Sequence, residues 1–197
     1  TNTFLQAPER IEVARQATAS ETIEQVVAMF KPSRRDRADS EKRKLLRTLI
    51  DAEGEACTNA IIFCNRKTEV DILAKSMKKY GYGDLDQSQR TRTLDGFRSG
   101  ELRFLIASDV AARGLDIPAV SHVINFDVPG HPEDYVHRIG RTGRAGRQGK
   151  AITICGTRDT KALDAVEKLI QKDIPRTEGS AAIDRDGDED LDLLVVG

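Results

Sequence analysis

Short continuous apolar runs alternate along the chain with longer stretches whose apolar residues recur every three to four positions. The first pattern predicts strands buried on both faces, the second helices with one buried stripe. The strand candidates RIEVA (10–14) and IEQVVAMF (23–30) come first. A charged connection, KPSRRDRADSEKRK, then enters a helix carrying Leu45, Leu46, Leu49 and Ile50 on one face. NAIIFCN reads as a buried strand, followed by a helix over KTEVDILAKSMKKYG with Val70, Leu73, Ala74 and Met77 as its stripe and Gly81 as its C-terminal cap. The helix QSQRTRTLDGFRSG leads to the strand LRFLIAS, the loop DVAARGLDIP, the strand VSHVINFDVP, a helix from PEDYVHRI, the strand AITIC and a last helix TKALDAVEKLIQK. Strand and helix in alternation through short loops predict an α/β domain, a mostly parallel central sheet with helices on both faces.

Chain length and charge narrow the possibilities. With 197 residues the chain can bury roughly 70% of its unfolded surface, enough for one core with appendages. Lys and Arg number 31 against 32 for Asp and Glu, so bulk charge announces no nucleic-acid binding and only a local patch could supply it. One such patch exists. HRIGRTGRAGRQGK (137–150) sets Arg138, Arg141, Arg144, Arg147 and Lys150 at every third position, with glycine before each cation after the first and no acid. A collagen repeat would need many more triplets and proline. A disordered Arg/Gly segment fits poorly between a helix start and an apolar strand, and a plain solvated face would be laced with acids. The remaining reading is an anion site, in which glycine admits close backbone approach and guanidinium forks meet phosphate oxygens. In open parallel sheets ligands collect at the carboxyl ends of the strands. The loops after IIFC, FLIAS and VINFD, with the arginine run, are therefore the expected positions of the site. Cys57, Cys64 and Cys155 have no metal-ligand spacing, which suggests a reduced intracellular protein. No apolar run reaches the roughly 18 residues of a membrane span and the polar start is no signal peptide. A soluble cytoplasmic chain is expected.

ASDVAARGLDIP, VINFDVP and YVHRIGRTGRAGR, preceded in order by IIFCNRK and GDLDQSQR, resemble the C-terminal RecA-like domain of DEAD-box ATP-dependent RNA helicases. The resemblance covers about residues 20 to 175. AIIFCNRKTEVDILAKSM and LDAVEKLIQKDIPR look most like the bacterial RhlE-type branch. The resemblance implies an interdomain linker remnant over 1–19 and the helicase C-terminal domain over 20–175, and the abrupt change to acidic composition predicts a flexible tail over 176–197. The resemblance also implies ATP with Mg²⁺, the metal being held by an N-terminal RecA-like domain, and RNA as the macromolecular partner.

Residue roles follow from the matching positions. Arg141 and Arg144, three apart, fit arginine fingers that stabilise charge on the γ-phosphate. Gly114 and Asp116 fit the nucleotide, Asp116 as acceptor for a ribose hydroxyl. His137 matches the position that links the two domains, while His122 and His131 read as packing residues and Arg138 and Arg147 are left open between site and scaffold. Arg66 and Lys67, just past a strand end, and Ser108, where the family more often has threonine, are candidates for RNA phosphates. Gly83 and Asp84, and Gln87 with Arg90 near a helix N-terminus, complete the RNA set. Six Phe, three Tyr and no Trp leave little for base stacking, so backbone contacts without sequence readout are expected. No G-x-x-x-x-G-K-[ST] and no D-E-A-D string occurs, so this fragment alone is expected not to hydrolyse ATP. A non-enzymatic RNA-binding or docking module that kept the fold, and a DNA-directed superfamily 2 helicase, are the alternatives. In one place the resemblance fails. KKYGY runs straight into GDLDQSQR where the family has a short strand, which predicts an interruption of the chain near Tyr82 and Gly83. The acidic tail lacks an EF-hand spacing.

Overall fold

The computed structural model describes residues 21–82 and 90–178, with backbone alone at 90–93 and 178. Six parallel strands are joined by helices: β1 (Ile23–Phe30), α1 (Ala38–Glu53), β2 (Ala60–Phe63), α2 (Lys67–Lys79), α3 (Arg90–Ser99), β3 (Phe104–Ala107), α4 (Asp109–Ala112), β4 (His122–Asn125), α5 (Pro132–Ile139), β5 (Gly149–Gly156), α6 (Thr160–Ile170) and β6 (Arg176–Glu178). The sheet order is β3-β2-β4-β5-β1-β6. Every ladder is parallel, the α/β, RecA-like arrangement expected from alternating strand and helix.

Strand alternation sorts the core into two layers. Ala60 and Ile62 of β2, with Phe104, Ile106 and Ile124, pack under Leu45, Leu46 and Ile50 of α1 and Leu73, Ala74 and Met77 of α2. Ile61 and Phe63 face the other way, toward Phe97 of α3 and Ala112 of α4. On that second face Val27, Ala151 and Cys155 meet Tyr135 and Ile139 of α5 and Leu163 and Val166 of α6. Both faces are covered, so the strands read as unbroken apolar runs.

Local signals set the helix ends. Gly81 (φ +81) closes α2 as predicted: its N–H donates to Lys78 O at 3.1 Å and the Tyr82 N–H to Met77 O at 3.0 Å, the paired bonds of a left-handed C-terminal cap. Pro132 opens α5 with Glu133 and Asp134 in the first turn, where the missing N–H costs nothing and negative charge is favoured. Three elements depart from expectation. α1 begins at Ala38, preceded by a short 3-10 turn over Arg35–Arg37, so much of the charged connection is helical. The loop after β3 holds the four-residue helix α4. β6, past residue 175, adds an edge strand beside β1 through Val27, Ala28 and Met29. The strand candidate RIEVA and the interruption expected at Tyr82 and Gly83 lie outside the described residues, Tyr82 itself excepted. Among the described residues no helix is long and apolar enough to cross a membrane.

Candidate functional site

The carboxyl ends of β2, β3 and β4 are tied together by one side chain. Arg138 is 1% exposed, and its guanidinium donates to both carboxylate oxygens of Asp109 at 2.7 and 2.6 Å, to Asn65 Oδ1 at 2.8 Å and to Asp127 O at 2.8 Å. A longer bond reaches Asn125 Oδ1 at 3.4 Å, and the Phe63 ring lies 5.2 Å away. The acceptors follow or end three strands: Asn65 follows β2, Asp109 follows β3, and Asn125 and Asp127 end and follow β4. The bidentate fork of arginine is what lets one residue hold three loops. Arg138 is thereby a scaffold residue, which resolves the choice that the sequence left open.

Three of the candidate RNA residues, Arg66, Lys67 and Ser108, stand on this edge. Arg66 is the N-cap residue of α2 and Lys67 its first residue; both are exposed and neither has an ion-pair partner among the described residues. Ser108 follows β3, and its Oγ accepts the Ala111 N–H at 3.4 Å as the cap of α4, leaving its O–H to donate elsewhere. Arg90 begins α3, of which only the backbone is described there, and Gly83, Asp84 and Gln87 lie outside the described residues.

The arginine run does not join them. It follows α5 but precedes β5, so it returns to the amino ends of the strands. Thr142 bridges Val120, just before β4, and its hydroxyl donates to Val120 O at 2.5 Å. Thr22, just before β1, donates its hydroxyl to Gly143 O at 3.1 Å and accepts the Gly149 N–H on its carbonyl at 3.1 Å. Gly143 is left-handed (φ +65) and sits against Ile23; a Cβ on Gly149 would overlap Gly143 and Thr142. The expectation that this run shares the carboxyl edge is corrected by that connectivity: the edge rule concerns loops that follow strands.

On this turn Arg141 and Arg144 have no carboxylate partner among the described residues. Arg141 reaches Ala112 O at 3.4 Å and Arg144 donates to Gly140 O at 2.7 Å. Partial burial, and after it the neighbouring Arg144, holds the Arg141 guanidinium below its usual value. Arg141 is partly desolvated and the exposed Arg144 repels it, an arrangement that favours an anion between the two cations. Arg141 comes to the end of α4, two residues before Gly114, whose φ of +74 makes the turn into Asp116. Asp116 presents a fully exposed carboxylate, while its carbonyl is fixed by Arg98 at 2.9 and 2.7 Å. His137 is exposed on α5, as are His131 and Arg147. His122 is buried, with its ring nitrogens at 2.9 Å from Ser121 Oγ and 3.1 Å from Glu53 Oε2. Among the described residues no cluster of His, Cys, Asp or Glu could hold a metal ion.

A model of the helicase conserved C-terminal domain matches residues 41–146, more than half of the chain. The chain belongs to this family. The helicase C-terminal domain is similar to the ATP-dependent RNA helicase RhlB of Pseudomonas aeruginosa, 42% identical over 173 residues that make up 85% of this chain and 41% of RhlB. It is also similar to the ATP-dependent RNA helicase dbp8 of Aspergillus fumigatus, 42% identical over 135 residues, 66% of this chain and 26% of dbp8. The helicase C-terminal domain thus spans about two-fifths or less of these curated relatives. Among solved structures, the Escherichia coli DEAD-box protein SrmB bound to the regulator RraA superposes with a TM-score of 0.70 at 33% identity, covering 81% of this chain and 93% of that one. S. cerevisiae Dbp5 bound to RNA and ADP BeF3 superposes with a TM-score of 0.67 at 31% identity, over 88% of this chain and 44% of Dbp5. The RecA-like fold is that of DEAD-box C-terminal domains.

Proposed function

We propose that this domain supplies half of the ATP site and half of the RNA surface of an ATP-driven RNA helicase. The observation that carries the reading is the pair of guanidiniums on the stapled turn, Arg141 and Arg144, each bonded among the described residues to a carbonyl alone, with Arg141 reaching Ala112 O two residues before the left-handed Gly114. Such a half-site fits a phosphate chain. ATP bound between two domains supplies the phosphoryl group, and its Mg²⁺ belongs to the N-terminal RecA-like domain. Arg141 and Arg144 neutralise charge that develops on the transferred group, Asp116 accepts a ribose hydroxyl, and His137 meets the partner domain. Arg66, Lys67 and Ser108, with Gly83, Asp84, Gln87 and Arg90, hold RNA phosphates without reading bases. The fragment alone has no phosphate-cradling loop and turns over no ATP. Assignment to the bacterial RhlE-type branch rests on the wording of residues 60–77 and 163–176; bacterial RhlB and fungal dbp8 relatives reach the same 42% identity. Three buried free thiols, Cys57, Cys64 and Cys155, suit a reducing, cytoplasmic setting.

The test is RNA-stimulated ATPase of the full-length protein with Arg141→Ala and Arg144→Ala. Each is expected to lower turnover by about 10³-fold or more while thermal stability stays unchanged. Normal turnover in both variants rejects the arginine-finger role. No ATPase in the intact wild-type protein points to a non-enzymatic module, and stimulation by DNA rather than RNA to the DNA-directed alternative.

A further inference from the structure

The connection between β1 and α1 carries charge that the site described above does not use. Lys31, Arg34, Arg35 and Arg37 are exposed, and none has an ion-pair partner among the described residues. Asp36 is the one acid among them. The segment is held in place. Glu41, only 6% exposed, accepts the Ser33 N–H at 2.8 Å on one carboxylate oxygen and the Ser33 hydroxyl on the other. The buried acid is therefore spent on the backbone and hydroxyl of the loop and leaves its cations unneutralised.

Topology sets this loop on the carboxyl edge. β1 is parallel to every other strand, and its last residue, Phe30, pairs with Gly156 at the end of β5. Residues 31 and 157 thus leave the sheet side by side, and exposed Arg158 at the turn after β5 adds a fifth cation. β1 stands three places from β2 in the sheet, on the order of 15 Å, and α1 returns across that gap. Burial first, then Asp127 and Asp39, push the Glu69 carboxyl up while Lys42 and Arg43 pull it back, so the first turns of α1 and α2 are neighbours. The acids between the two basic groups are partly answered: Lys42 Nζ lies 2.6 Å from Asp127 Oδ1, and Arg43 draws on Glu69.

We propose that Lys31, Arg34, Arg35, Arg37 and Arg158 form a second phosphate-binding patch that extends the single-stranded RNA track from Arg66 and Lys67 across the carboxyl edge. The proposal rests on the reading of that edge as an RNA surface. Its chemistry is charge without aromatic stacking, so it binds backbone irrespective of sequence.

The experiment measures affinity of the 197-residue chain for a fluorescent oligouridylate of about 12 nucleotides over a range of salt concentrations. Wild type is compared with Arg34→Gln/Arg35→Gln/Arg37→Gln and with Arg66→Gln/Lys67→Gln; thermal melting confirms that these surface changes leave the fold intact. The triple variant is expected to bind about tenfold or more weakly at low salt, with a salt slope shallower by roughly 2, near 0.7 for each phosphate that is no longer neutralised. If it binds as wild type while the Arg66/Lys67 variant weakens, the patch is overturned and the edge reading stands. If only the triple variant weakens, the patch stands and the Arg66/Lys67 reading falls. If neither weakens, both fall. A triple variant that loses poly-glutamate but keeps RNA overturns the proposal in favour of an acidic protein partner.

Discussion

Two arginines three residues apart, Arg138 and Arg141, end up in opposite kinds of surroundings. Arg138 spends its guanidinium on Asp109, Asn65 and the ends of β4, inside the protein. Among the described residues Arg141 and the following Arg144 bond to carbonyl oxygens alone, on a turn stapled to the starts of β1, β4 and β5. The first builds the carboxyl edge and is consumed in doing so; the second pair is built upon and stays available. An unbroken basic period in sequence thus conceals a division between scaffold and site. The division falls at Gly140, which ends α5, before Thr142 and Gly143 fasten the chain to the amino ends of the strands.

The most severe way to test that division is Arg138→Ala. It leaves Asp109 without its buried partner and is expected to cost about 3–5 kcal/mol, read from the urea midpoint. Arg144→Ala, at an exposed position, should stay within about 0.5 kcal/mol of wild type. Equal losses would erase the distinction between the two regions. Gly143→Ala sharpens it from the other side. The left-handed backbone and a Cβ placed 2.6 Å from Ile23 Cγ1 should together cost about 1–3 kcal/mol. ATPase of the full-length protein should fall with little change in RNA affinity. Thr142→Val removes the hydroxyl bonded to Val120 O and Ser121 O and should cost about 1–2 kcal/mol, chiefly through the buried bond lost at Val120 O, since Ser121 O keeps the Lys150 N–H.

The smallest effect concerns pH and the same amino end of the sheet. Burial opposes ionisation of Glu53, but hydrogen bonds from Lys150 and His122 outweigh it and hold the carboxyl below its ordinary value. Burial likewise opposes the Lys150 ammonium, and Glu53 with Glu24 raises it nonetheless. The Glu53 contribution is present above the unfolded carboxylate value of about 4.3 and is lost as pH falls through the depressed folded value. The Lys150 contribution is full below about 10.4 and is lost as pH rises through the raised folded value. Thermal melts should show a plateau between those limits. Glu53→Gln should flatten both limbs by no more than about 1 kcal/mol, since the pair is partly solvated.

Much of this architecture was legible because each strand is buried on both faces and each helix on one. Pro132 and Ile139 bound α5 where the sequence places it, and Gly81 caps α2 as its position predicts. β6 was not legible: Arg176, Thr177 and Glu178 pair through backbone at a sheet edge, which demands no apolar pattern. Nor was the fate of Arg138. Its acceptors Asn65, Asp109 and Asp127 come from three separate loops, and no local spacing brings them together. The family motif marked Arg141 and Arg144, but their place at the amino ends follows from Thr22 and Thr142, two hydroxyls with no periodicity to announce them.

The position of β1 has a consequence for how the molecule is made. It lies between β5 and β6, the last two described strands to leave a ribosome. IEQVVAMF therefore emerges with no neighbour among the described strands and waits for residues 149–156, on the order of ten seconds at about 5–20 residues per second. During that interval β2, β3 and β4 can already pair with one another. The arginine turn, which needs Thr22 on one side and Gly149 on the other, takes shape only once β5 has been made and lies down beside β1.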